Sequence, residues 1–115
     1  MHTRTLISNA TIVNEGRSFI GSVLIEDDHI ETIAEGYNKI SGFAADTVIN
    51  ASGCILLPGV IDEHVHLRDP GLTHKADITT ESRAAAAGGI TTFLDMPNTL
   101  PQTTSLKAFQ EKLAL

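Results

Sequence analysis

The sequence predicts an α/β chain, the start of a (β/α)8 barrel preceded by a small β-sandwich domain. Three observations point there. The first half is a series of short segments rich in β-branched residues and punctuated by turn residues. From Pro58 the pattern changes to strand, loop, helix, repeated twice. The first strand of that repeat ends in His64-Val65-His66, and barrel enzymes carry their chemistry at the C-terminal ends of their strands.

Residues 1–57 are expected to form the β-domain. Thr5 to Val13 ends at the turn signal Asn14-Glu15-Gly16, and Phe19 to Ile25 ends at Glu26-Asp27-Asp28, a spacing that predicts a hairpin. Ile30 to Ala34 makes a third strand. Thr47 to Asn50 and Cys54 to Leu57 make two more, divided by a turn at Ser52-Gly53, and Gly36 to Asp46 reads as a loop or a poor helix. Apolar residues alternating with Ser, Asn, Glu and Thr suit antiparallel strands solvated on one face.

Residues 58–115 are expected to form two βα units. Val60 to His66 is nearly continuous in apolar residues apart from Asp62, Glu63 and the histidines, the pattern of a parallel strand buried on both faces. Asp77 suits the N-cap of a helix running through Glu81 and Ala84-Ala85-Ala86-Ala87, with Gly88 as its stop. Ile90 to Met96 is a second buried strand ended by Pro97. Thr104 or Ser105 can cap a second helix with the apolar stripe Leu106, Phe109 and Leu113. Tandem βα units predict parallel strands joined by right-handed crossovers. A closed barrel takes roughly 250 residues, and the half of the chain after Leu57 holds only two of its eight units. The expectation is the N-terminal part of a longer enzyme, inactive alone. A free-standing α+β domain of 115 residues is the competing reading.

Composition narrows the partners. A net charge of −6 disfavours nucleic acid and anionic membrane surfaces. The single cysteine, Cys54, cannot form an internal disulfide, which fits a reduced, cytoplasmic setting. No apolar run reaches the roughly 18 residues of a membrane span. Small polar substrates remain.

Side chains two apart on a strand share a face, so His64 and His66 can meet one metal ion while Val65 packs the other way. Imidazole suits a borderline metal such as zinc, and a catalytic zinc takes about three protein ligands plus an open position. The chain offers two. Arg68 follows the first strand by two residues and Asn98 follows the second by two. Neighbouring parallel strands about 4.8 Å apart would bring both to one rim.

The run from Pro58 to Gly71, then Thr73-His74-Lys75, Ser82-Arg83-Ala84-Ala85-Ala86-Ala87-Gly88-Gly89-Ile90-Thr91-Thr92 and Met96-Pro97-Asn98-Thr99, resembles the dihydroorotases, of the cyclic-amidase branch of the amidohydrolase superfamily. The resemblance is close from Pro58 to about Pro101. It implies a metal-dependent TIM barrel whose accessory β-domain is assembled from both ends of the chain. It also implies His64 and His66 as ligands of the more buried of two zincs, and Arg68 and Asn98 as holders of the substrate carboxylate. The implied reaction is the interconversion of dihydroorotate and N-carbamoyl-aspartate in pyrimidine biosynthesis, by a homo-oligomer. The catalytic aspartate and remaining ligands are expected beyond Leu115. Hydantoinases and allantoinases act on rings lacking that carboxylate and resemble this stretch less well at Arg68 and Asn98.

Other readings of the same residues stand beside these. Arg68 can pair with Asp69 as an ordinary rim residue, and Asn98 can make an Asx turn after Pro97. Asp62 suits a structural role or the orienting of a histidine. Asp69-Pro70-Gly71 reads as a turn, His74 and Lys75 as solvated loop residues, and His2 and His29 as exposed. As a whole, the protein can also be a catalytically dead scaffold homologue or an allantoinase- or hydantoinase-type amidase.

Overall fold

The computed structural model describes residues 2–40 and 44–115. These divide into two compact units, Met1–Pro58 and Gly59–Leu115.

The first unit is one mixed sheet. Its strands are β1 (Arg4–Asn14), β2 (Arg17–Glu26), β3 (His29–Glu35), β4 (Thr47–Asn50) and β5 (Ile55–Leu56). β1, β2 and β3 form an antiparallel meander, as alternation and turn residues predict. Glu15 and Gly16, at φ 49° and 73°, give the first hairpin the doubly left-handed turn that matches strand twist. β4 and β5 pair with β1 in parallel. The expected antiparallel sandwich is therefore corrected, among the described residues, to a single sheet in the order β3-β2-β1-β4, with β5 also on β1. The meander leaves one edge of β1 open, and the crossover after β3 returns the chain to that edge. Period-two alternation marks a strand but carries no direction, so this was not legible. The crossover was expected as a loop or poor helix over Gly36 to Asp46; residues 41–43 of it lie outside the described residues.

A bulge divides β1. Register with β2 shifts between Ile7 and Ala10, and Asn9 takes φ 60°. The Asn9 backbone N–H donates to Ser22 Oγ at 3.1 Å, which satisfies a hydroxyl that is otherwise fully buried. The core is small: Ala10, Ile12, Val23 and Ala51, with Ile7, Phe19, Ile25 and Leu56 against it. Cys54, in an apolar run, is nonetheless exposed.

The second unit is a two-stranded parallel sheet, β6 (Val60–Val65) and β7 (Ile90–Asp95), with α1 (Ile78–Ala87) between them in sequence and α2 (Leu106–Leu113) after. α1 packs against β7. Asp77 caps α1 by accepting from the Thr80 backbone N–H at 2.9 Å and the Thr80 hydroxyl at 2.7 Å. Those bonds, the hydroxyl's foremost, hold its carboxyl below the usual range. Ser105, rather than Thr104, caps α2. The strands carry the apolar pattern of two-sided burial, but two of eight barrel units leave their faces bare: Val60, Ile61 and Leu94 stay at least half exposed, as do Leu106, Phe109 and Leu113 of α2. Two strands and one packed helix cannot cover two sheet faces.

Candidate metal and substrate site

The end of β6 is built by a bulge. Asp62 pairs with Phe93 and Val65 with Asp95, so Glu63 and His64 together oppose Leu94. Asp62 Oδ1 accepts from the His64 backbone N–H at 3.1 Å, which closes the bulge. Asp62 thus fixes the main chain under a histidine rather than its ring. Bulges re-aim side chains beside functional sites.

His64 and His66 lie together beyond this point. Their ring centroids are 5.2 Å apart at an interplanar angle of 67°, and both side chains are exposed. His66 Nδ1 donates to Asn98 Oδ1 at 2.9 Å. With that proton on Nδ1, the Nε2 lone pair is left for a metal. The donor set therefore fits two corners of a zinc site. Among the described residues no group of three or more His, Cys, Asp or Glu side chains is placed to hold a metal.

The segment after β7 organises the other half of the site. Pro97 C=O accepts from the backbone N–H groups of Thr99 and Thr103 at 2.9 and 3.0 Å. Buried Thr99 donates its hydroxyl to Pro101 C=O at 2.7 Å. The turn is thus held by main chain and Thr99, and Asn98 Oδ1 bonds His66 instead of making an Asx turn.

Arg68 follows buried Leu67, is half-buried, and adopts φ 64°. A long side chain in the left-handed region stores of order 1–3 kcal/mol and concentrates at functional positions. Among the described residues no ion pair joins it to Asp69. The turn Asp69-Pro70-Gly71 docks on the β7 side: Leu100 N–H donates to Pro70 C=O at 2.9 Å. Gly71 has φ +85°, and a Cβ there would lie 1.9 Å from Leu100 O. Gly71→Ala is expected to cost about 2–5 kcal/mol, from left-handed strain plus a backbone clash. Gly89→Ala, at the same φ with open space around it, should cost only the strain, about 1–2 kcal/mol. Denaturant midpoints of the two variants check the difference. His74 and Lys75 lie exposed in a following turn.

Asp95 was missed by the sequence reading. Its carboxylate accepts from the Leu67 backbone N–H at 2.9 Å and pairs with Lys112 of α2. Nothing in its spacing marks it out, because both partners come from elsewhere in the unit.

The family model described as Dihydro-orotase-like matches residues 53–113. A dihydroorotase of Methanosphaera stadtmanae is 60% identical over 93 residues, covering 81% of this chain and 21% of that protein. One of Methanosarcina acetivorans is 43% identical over 109 residues, covering 95% of this chain and 23% of that protein. Among solved structures, the L-hydantoinase (dihydropyrimidinase) of Arthrobacter aurescens matches with a TM-score of 0.87 at 35% identity, covering 97% of this chain and 24% of that one. The chain thus spans about a fifth to a quarter of these relatives' length. The matched stretch holds the histidine pair, Arg68, Asn98 and the elements that carry them, and on that stretch the chain belongs to the dihydro-orotase-like family.

Proposed function

We propose that the full-length protein is a zinc-dependent dihydroorotase, a (β/α)8-barrel hydrolase that interconverts dihydroorotate and N-carbamoyl-aspartate. The observation that carries this reading is the paired imidazoles of His64 and His66, with Asn98 on one ring and Arg68 two residues beyond. In this reading His64 and His66 hold one of two zincs. Zinc held there would supply hydroxide near neutral pH by lowering the pKa of its water to about 7, and would polarise the amide carbonyl. Arg68 presents a fork of donors to the substrate carboxylate. Asn98 serves twice: Oδ1 holds the His66 tautomer while the Nδ2 hydrogens remain to donate to the same carboxylate.

The same reading divides the chain into accessory β-domain over 1–57 and barrel over 58–115, with further ligands and the catalytic aspartate from the rest of the protein. It takes the enzyme as a cytoplasmic homo-oligomer of pyrimidine biosynthesis; no helix among the described residues is long and apolar enough to cross a membrane.

The test is ring opening by the purified full-length protein, with metal content measured in parallel. Expected are bound zinc, turnover of dihydroorotate that chelation abolishes, and poor turnover of a dihydropyrimidine without the carboxylate. Equal turnover of the carboxylate-free ring would transfer the reading to the hydantoinases, which the 0.87 structural match keeps in view. Absence of zinc and of both activities would leave a scaffold homologue.

A further inference from the structure

His66 is gripped by the end of β7 at three points. Behind it, Val65 C=O accepts from the Met96 N–H at 2.9 Å, the last bond of the strand ladder. Ahead of it, Leu67 N–H lies past the ladder, where no strand carbonyl can take it, and donates to Asp95 Oδ1 at 2.9 Å. At the ring, Nδ1 donates to Asn98. The second of these is made by a side chain and therefore depends on how that side chain is held. Asp95 and Lys112 are only 12% and 15% exposed, and they pair with each other. A buried carboxylate is held in place when a cation and a backbone N–H face it from two sides. Lys112 sits in the last turn of α2, so the helix braces the carboxylate that holds Leu67.

We propose that the Asp95–Lys112 pair is a positioning device, coupling α2 to the backbone between His66 and Arg68 and so setting the aim of both side chains. The proposal rests on His66 as a metal ligand. Outer partners of ligating histidines are worth 10–100-fold in metal affinity when removed. Asp95 does the same work one step further out, through the main chain.

The experiment compares two doubly substituted full-length proteins. In both, Lys112→Met removes the cation. One adds Asp95→Asn, which keeps an oxygen for Leu67 N–H. The other adds Asp95→Leu, which does not. Both delete the buried charges, so folding, checked by circular dichroism, is matched more closely than in single variants. If the leucine variant fails to fold, Lys112→Met with Asp95→Ser, whose hydroxyl is too short to span the gap, takes its place. Zinc affinity is read by chelator competition, with His66→Ala as reference. The asparagine variant is expected to bind zinc within about threefold of the natural protein, and the leucine variant about tenfold or more weaker, with KM raised through Arg68. Equal zinc affinity in the two variants, with His66→Ala losing zinc, would overturn the positioning role and leave the proposed function standing. Full zinc retention by His66→Ala would overturn both.

Discussion

His66→Ala in the full-length protein is expected to strip zinc from the site and lower ring-opening turnover on the order of 10³-fold or more, because hydroxide at neutral pH depends on a metal that brings the pKa of its water down to about 7. The structure makes His66 the more constrained of the two histidines: both flanking backbone groups and Nδ1 are bonded to the segment Asp95–Asn98. Alanine leaves those backbone bonds in place and removes the ring alone. Metal analysis alongside initial rates checks the result. His29→Ala, on the exposed edge of β3 in the other unit, is the matched control and should keep both zinc and rate.

Arg68→Ala should lower kcat/KM for dihydroorotate by about 1.5–3 kcal/mol, roughly 10- to 150-fold, the worth of a hydrogen bond to a charged group. Zinc content should not change. The position already sits at φ 64°, and alanine keeps the Cβ that makes this conformation costly, so backbone strain is nearly the same in both proteins. What differs is the guanidinium. Arg68→Lys keeps the charge but loses the planar fork, and should fall between the two. Steady-state kinetics on dihydroorotate and on a carboxylate-free ring separate the effects: only the first should respond. An unchanged kcat/KM for dihydroorotate would remove Arg68 from the substrate site.

Much of the architecture was legible because its determinants are local. Alternating apolar residues and the turn at Asn14-Glu15-Gly16 place β1 and β2, Asp77 marks the start of α1, and Pro97 marks the stop of β7. Directions were not legible: β4 and β5 alternate like any strand, and only the return to the open edge of β1 sets them parallel. Burial, too, is set by neighbours. Val60 and Ile61 look like core, but burial depends on what covers a face and not on the strand's own composition.

At the site, the His64–His66 pairing follows from period-two geometry, although the bulge at Glu63 that aims it does not. The bulge depends on Asp62 reaching the His64 N–H, one of several uses a strand carboxylate can have. Asn98 is legible as a substrate group or a turn former, and its bond to His66, 32 positions away in sequence, adds a role that the sequence conceals. Asp95 shows the limit most clearly. A lone acid at the end of an apolar strand, with a lysine on the next helix, gains meaning only when folding places Leu67 N–H and Lys112 on either side of it.

The most direct measurement is anomalous X-ray scattering at the zinc edge from crystals of the full-length protein. A zinc peak is expected at about 2.0–2.1 Å from a ring nitrogen of both His64 and His66, with His66 still bonded to Asn98 through Nδ1. Zinc bound elsewhere while these two rings carry none would contradict the account.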